Sequence, residues 1–509
     1  MFENGHQYIA GEFRAGTADS EVDIVNPATG QVLARPDLAS AGDVDAAVRA
    51  AREAYPQWSR STPGERSDAM LAFAAELRAI EADLASAETL QTGKLLQMSA
   101  EFDVAGSIDN VSFFAGAARH LTGLATGEYS GEHTSSIRRE PIGVVGSIAP
   151  WNYPLQMAAW KVLPAIAAGN TIVLKAAEIT PYTSLMFAEA ATKAGIPPGV
   201  INVLTGTGPV AGEALVGHRD VAMVSFTGST AVGTRVGAIA AGAAKRVHLE
   251  LGGKAPFVVF DDADLEAAIH GAVAGSCLNT GQDCTAATRA IVHESLFDRF
   301  CEGVADIMAS MRLGDPHAAD TDLGPLSSQR HLERVRTHVE KAKANGATVR
   351  SGSLPDDPTF AAGSYFPPTL VTGIDRDAAI MRDEVFGPVL AAVPFGSDDE
   401  ALDIANDTPY GLAASAWTSD LNRANRAARE IQAGCVWVND HIPIISEMPH
   451  GGYKQSGFGK DMSAYSFEEY TQIKHVMVEN TAVPRKDWHR LVFADRRPGG
   501  SDEPAREMS

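Results

Sequence analysis

A strand–helix alternation beginning near Gly143 constrains this chain more than any other feature. Short β-branched runs (GVVGSIA, TIVLKA, VINVLTG, VAMVSFTG and RVHLELGG) are separated by Ala-rich helical stretches, and their starts fall about 20–30 residues apart. Strands at that spacing are not joined by hairpins. Each needs a crossover, usually a helix, that leaves neighbouring strands parallel. After Gly253 a second series follows, with PFVVF, RAIVH, VLAAVPF, LAASAWT and CVWVN as strands. Two α/β units in succession are expected. Ahead of them, Met70, Phe73, Leu77, Ile80 and Leu84 recur at steps of three or four, which predicts one helix face, and Asp43 is placed to cap an earlier helix.

Two polar, strand-like stretches stand outside this scheme, HTSSIRRE (133–140) and YTQIKHVMVE (470–479). They are expected to pair as a small sheet whose open edges a second subunit would cover. The tail from Val483 is charged, contains Pro and Gly, and is expected to be loosely ordered at its end.

Charge narrows the partners. Over 509 residues, 42 Lys+Arg stand against 64 Asp+Glu, a net charge of −22. Such acidity excludes a basic face for nucleic-acid phosphates and disfavours anionic membrane surfaces. Cysteine is limited to Cys277, Cys284, Cys301 and Cys435, with no C-x-x-C pair, so neither a disulfide framework nor a metal centre is expected. The start, MFENGHQYIAGEF, lacks a secretory pattern, and no run reaches the roughly 18 apolar residues of a spanning helix. A soluble cytoplasmic protein is expected.

Several segments carry candidate chemistry, each with a plain structural alternative. Gly206-x-Gly208 and Gly228 to Gly233 follow strands and can open a helix toward a phosphate, or simply turn the chain. Lys175 and Glu178, just past a strand, can hold ribose hydroxyls, or form an exposed pair. Cys284 in NTGQDCTAATR has polar or small neighbours, Gly281, Gln282, Asp283 and Thr285, unlike a core strand; it reads as a nucleophile or as a small buried hydrophobe. Glu250, between an apolar strand and two glycines, is the best base for it, or a solvated strand end. The Asn152 amide in APWNYP can donate to an oxyanion or shape a turn. Glu384 and Phe386 in DEVFGP can hold a ribose and wall a site, or precede Pro388 as loop residues.

Together APWNYP, VLKAAE, FTGST, ELGGK, GQDC, EVFGP, WVN and PHGGYKQSG, in that order, resemble the aldehyde dehydrogenase superfamily from about Tyr8 to Asn480. The resemblance implies an α/β fold with a Rossmann-like NAD-binding domain (1–118 and 142–252), an α/β catalytic domain (253–455), a β oligomerisation arm (119–141 and 466–482) and a C-terminal tail (483–509). It implies Cys284 as nucleophile, Glu250 as general base, Asn152 as oxyanion donor and Glu468 in a water or proton relay. NAD, rather than NADP, would be held by Trp151, Lys175, Glu178, Gly208, Gly228, Ser229, Gly233, Leu251, Glu384 and Phe386. KAAE departs from the superfamily's usual Pro-Ser between Lys and Glu. Within the superfamily the likeness is to γ-aminobutyraldehyde dehydrogenases, through FFAGAARHLTGLATGEYSGEHTSSIRREPIGVVGSIAPWNYPLQMAAWK, GQDCTA and SEMPHGGYKQSGFGKDMS. It implies oxidation of 4-aminobutanal to 4-aminobutanoate through a thiohemiacetal and a thioester, in a homodimer or homotetramer. The ammonium of that substrate would meet Asp103, Asp283, Tyr153 and Trp160. Betaine-aldehyde or general aliphatic aldehyde oxidation is the nearer alternative. A non-redox thiol hydrolase or a non-catalytic binding protein is the remote one.

Overall fold

The computed structural model describes residues 6–493. The first alternating series builds an eight-stranded sheet whose spatial order is Gly457–Phe458, Arg246–Glu250, Val221–Thr227, Val144–Ile148, Thr171–Ala176, Ile201–Thr205, Gln7–Ile9 and Glu12–Arg14. Its five central strands are parallel. Counted along the chain, they lie in the order 5-4-1-2-3, a doubly wound arrangement. The chain therefore reverses direction across the sheet between Val144–Ile148 and Val221–Thr227. A crevice opens beyond the C-terminal ends of those two strands, and ligands bind at such switch points.

The second series forms a seven-stranded sheet in the order Thr348–Ser351, Thr369–Thr372, Val389–Phe395, Ala287–His293, Ala255–Val259, Ala413–Trp417 and Cys435–Val438. Thr348–Ser351 alone is antiparallel to its neighbour. Both central cores are Val/Ile/Ala-rich and buried on each face, as parallel strands between helix layers must be. Both sheets fall within one compact unit, residues up to Leu121 with Pro141–Gln472. Arg246–Glu250 belongs to the first sheet and Ala255–Val259 to the second, and Gly457–Phe458 returns to pair antiparallel with Arg246–Glu250.

A second unit comprises 122–140 and the chain after Gln472. The strands His133–Pro141 and Thr471–Glu479 are neighbours in a three-stranded sheet completed by Gly127–Ser130. Beyond it a short turn spans Asp487–Leu491. The charged end of the tail, ADRRPGG and SDEPARE, lies outside the described residues.

Two local expectations are corrected. The helix Ala41–Trp58 is capped by Ser40, whose Oγ accepts from the Gly42 and Asp43 amides, while the Asp43 carboxylate accepts from the Ser40 amide. Asp43 is thus the third helical residue of a capping box. The face from Met70 to Leu84 belongs to two helices, Pro63–Ala79 and Glu81–Thr92, with Ile80 leaving helical geometry at the junction. Among the described residues no helix is long and apolar enough to cross a membrane.

Candidate active site

A cavity opens at the switch point, lined from both sheets. From the first come Trp151 and Asn152, after Val144–Ile148; Gly228 and Ser229, after Val221–Thr227; and Glu250, at the end of Arg246–Glu250. The loop entering Ala287–His293 brings Asp283 and Cys284, and the segment before Val389–Phe395 brings Glu384 and Phe386.

The Cys284 loop is held in an uncommon backbone form. Asn279, Thr280 and Gly281 are consecutively left-handed, with φ of 49°, 55° and 70°. A side chain at Gly281 would strike the Gly387 backbone. Left-handed non-glycine residues cost about 1–2 kcal/mol each, so the loop persists because its surroundings fix it. The Asn279 amide donates to the carbonyls of Asn152 (3.0 Å) and Gln282 (3.2 Å), and Gln282 donates to the Asn279 carbonyl (2.9 Å).

That loop sets the Cys284 thiol 3.7 Å from Glu250 Oε1, to which it donates. Burial first, then the carboxylates of Glu250, Asp283 and Glu384, push the thiol well above its ordinary range. Glu250 is buried, and its Oε2 has no hydrogen-bond partner among the described residues. Asn152, which lines the cavity, spends one N–H on the Gln282 carbonyl at 3.0 Å, and its amide carries a second. A half-buried thiol, an adjacent carboxylate with an uncommitted oxygen and an amide donor converge within one pocket.

The aldehyde dehydrogenase family profile matches residues 13–476. The chain belongs to the aldehyde dehydrogenase family. It is 42% identical over 474 residues to the Bacillus subtilis protein named "Putative aldehyde dehydrogenase DhaS", covering 92% of this chain and 95% of that one. Among solved structures, it resembles an aldehyde dehydrogenase from Bacillus cereus in complex with NAD+ (38% identity, TM-score 0.90, 94% of this chain and 97% of that one). It also resembles a point mutant of betaine aldehyde dehydrogenase from Staphylococcus aureus in complex with NAD+ (37% identity, TM-score 0.92, 95% and 98%).

In this aldehyde dehydrogenase the crevice suits a dinucleotide. Helix Thr230–Gly242 begins at Ser229, whose side chain makes no capping bond, so its first-turn amides are not capped by that residue. Leu251 packs so tightly on Gly233 that any side chain there would collide with it. Val210, on the turn Gly208–Gly212, and Val232, on the helix, are both exposed apolar groups, and Arg235 of that helix bridges at 2.7 Å to Glu213, the residue that follows the turn. Lys175 donates to the carbonyls of Ala176 (3.0 Å) and Gly206 (2.8 Å) and stands 3.7 Å from Glu178. Burial lowers Lys175, while Glu178 acts in the opposite direction. Glu384 accepts from the Gly253 amide at 2.9 Å and is raised by burial. Phe386, itself left-handed, meets Trp151 edge-on at 5.5 Å.

Of the residues expected to meet substrate, Tyr153, Trp160 and Asp283 line the cavity and Asp103 does not. Asp103 is fully buried on the π-helical stretch Ser99–Val104 and pairs with Lys94, which in turn lies over the Tyr153 ring. Its charge is spent inside the fold. Glu468 is likewise not a cavity residue; it sits on helix Ser463–Glu469.

The sequence reading missed three groups. His450 Nε2 lies 3.4 Å from Glu250 Oε1, and its backbone pairs with Asp461 through reciprocal bonds of 2.9 and 2.7 Å. Asp461 in turn accepts from buried Lys161 at 2.7 Å. Burial opposes the His450 imidazolium, but Glu250, Asp461 and Asp283 outweigh it and raise the group. The signal available in sequence was the acid in SGFGKDMS, seven residues before Glu468.

Proposed function

We propose that this enzyme oxidises a cationic aldehyde, best represented by 4-aminobutanal, to its carboxylic acid with NAD+ as oxidant. The observation that carries the substrate class is Asp283. It accepts from Tyr153 Oη (2.6 Å) and from the Thr285 amide and hydroxyl (2.6 Å each), yet no ion pair reaches it among the described residues. Hydrogen bonds fix the carboxylate without cancelling its charge, so its field extends into the cavity. Phe102, Tyr153 and Trp160 add aromatic surface that favours an ammonium group. Among the described lining residues the remaining acids are Glu250 and Glu384, and Arg334 is bonded to the Glu384 carbonyl at 2.9 Å. A semialdehyde carrying a second carboxylate meets repulsion here.

The residues supply the chemistry in sequence. Glu250 accepts the Cys284 proton, and the thiolate adds to the carbonyl carbon. The resulting oxyanion is met by the second Asn152 N–H and the Cys284 amide. NAD+ would be held along Trp151, Lys175, Glu178, Gly208, Gly228–Ser229, Gly233, Leu251, Glu384 and Phe386 and would take up the hydride that the thiohemiacetal carbon loses, leaving Cys284 as a thioester. Once Glu250 has given up the thiol proton it takes a proton from water, which attacks the thioester; the C–S bond breaks, the Cys284 thiolate is released and the acid leaves. His450, with Nε2 3.4 Å from Glu250 Oε1, can take up the proton that Glu250 releases.

Betaine aldehyde is a second reading, supported by the aromatic lining and by the Staphylococcus aureus relative. A quaternary ammonium donates no hydrogen bond, whereas Asp283 offers an acceptor, which favours the primary amine. The test follows NADH by its absorbance with 4-aminobutanal, betaine aldehyde and butanal. The expected order in kcat/KM places 4-aminobutanal about tenfold or more above butanal, with Asp283→Asn narrowing that gap. Equal rates for the two would overturn the cationic-substrate reading.

A further inference from the structure

Cys284, Glu250 and His450 form a set with a property that none has singly. Their ligating atoms all lie within 4.8 Å of one another. Sγ is 3.7 Å from Glu250 Oε1, and His450 Nε2 is 3.4 Å from the same oxygen. A tetrahedral zinc ion with bonds of about 2.0–2.3 Å keeps its ligands roughly 3.3–3.8 Å apart, so these groups already stand near coordination spacing. Glu250 and His450 are 1% and 5% exposed, and neither Glu250 Oε2 nor His450 Nε2 has a hydrogen-bond partner among the described residues.

Each ligand is also held firmly. Glu250 ends a sheet strand, Cys284 follows the strained loop, and His450 is pinned by its backbone bridge to Asp461. The His450 ring rests against Trp160 at 5.0 Å, whose indole N–H is anchored on Asn110 at 2.9 Å.

We propose that Cys284 Sγ, His450 Nε2 and a Glu250 carboxylate oxygen bind a zinc ion, which switches the enzyme off by occupying nucleophile and base together. One thiolate, one imidazole and one carboxylate with a fourth position open is a zinc donor set; magnesium and calcium require more oxygen ligands. On binding, the Cys284 S–H proton passes to solvent as the Zn–S bond forms, and the neutral imidazole donates its Nε2 lone pair. Water completes the fourth position from the cavity. The carboxylates of Asp283 and Glu384, which line the same cavity, favour a dication there.

Zinc binding stands on the geometry alone, whereas the loss of activity rests on the roles proposed above, so the two are measured separately. The full chain, freed of metal with a chelator, is titrated with Zn2+ without aldehyde or NAD+, using a competing zinc-binding dye; Co2+ serves as a spectroscopic substitute. The expected result is one ion per chain, a cobalt–thiolate charge-transfer band, and inhibition of turnover that EDTA reverses. His450→Phe should weaken zinc about a hundredfold, and Cys284→Ala should abolish the cobalt–thiolate band. If His450→Phe does not fold, Glu250→Gln serves as the second ligand variant, with the same weakening expected. Absence of a tight ion, or affinity unchanged by these substitutions, overturns the proposal, whatever the aldehyde assays show.

Discussion

In the proposed mechanism Glu250 is the residue on which the second half of the reaction depends. Its Oε1 faces the thiol while Oε2 is uncommitted, so one carboxylate can first relieve Cys284 of its proton and later activate water. Glu250→Gln keeps the shape and removes the basicity. The expected outcome is a rapid burst of about one NADH per active site followed by steady turnover slowed by roughly 10²–10⁴-fold. Stopped-flow absorbance checks this; undiminished steady turnover would remove Glu250 from hydrolysis. The Cys284 site was legible because polar and small neighbours mark a loop rather than a core. Asp103 was misread for the opposite reason: a charged helical residue looks solvent-facing unless its partner is known, and Lys94 is a partner that only the folded chain reveals. Lys161 and Asp461, 300 residues apart, were illegible on the same ground.

At the level of elements, hydrophobic runs predicted the central strands well, because buried parallel strands are continuous in Val, Ile and Ala. Short polar-edged strands such as Thr348–Ser351 and Gly457–Phe458 carry no such signature. Links between strand ends are equally invisible in sequence, and Asp262 is one. Standing just beyond Ala255–Val259, it accepts from Thr418 Oγ1 (2.7 Å), Ser419 Oγ (2.9 Å) and the Asp420 amide (2.8 Å). It thereby ties its strand end to the start of helix Leu421–Glu430. Partial burial would raise Asp262, but these bonds and Arg423 prevail and bring it to about 2. A depressed carboxylate contributes stability above its unfolded value, near 3.8, and loses it as pH falls through the folded one. Asp262→Asn is expected to cost about 1–3 kcal/mol at neutral pH. The deficit should shrink between pH 4 and about 2, as read from thermal midpoints across that range. A deficit constant with pH would show that charge is not the cause.

For the molecule as a whole, the strand Thr471–Glu479 is an edge of its small sheet, and Ile473 and Met477, four residues apart on one face, are 63% and 50% exposed. An apolar edge strand of this kind invites pairing with another chain. Self-association through it is expected, and Ile473→Glu with Met477→Glu should lower the mass seen by light scattering coupled to size exclusion. An unchanged mass would place the subunit contact elsewhere.

The return of Gly457–Phe458 to the strand that ends in Glu250 bears on the order in which the chain is made. The first sheet is nearly complete in sequence by residue 250, yet its outer edge waits for a segment synthesised some 200 residues later. During translation, which proceeds at about 5–20 residues per second, the base-bearing strand must remain unpaired on one side for roughly 10–40 seconds. A nascent chain halted between Glu250 and Phe458 therefore carries the nucleotide crevice without the strand that closes its edge. Premature termination yields a half-zipped sheet with a free edge, a species more apt to aggregate than to act.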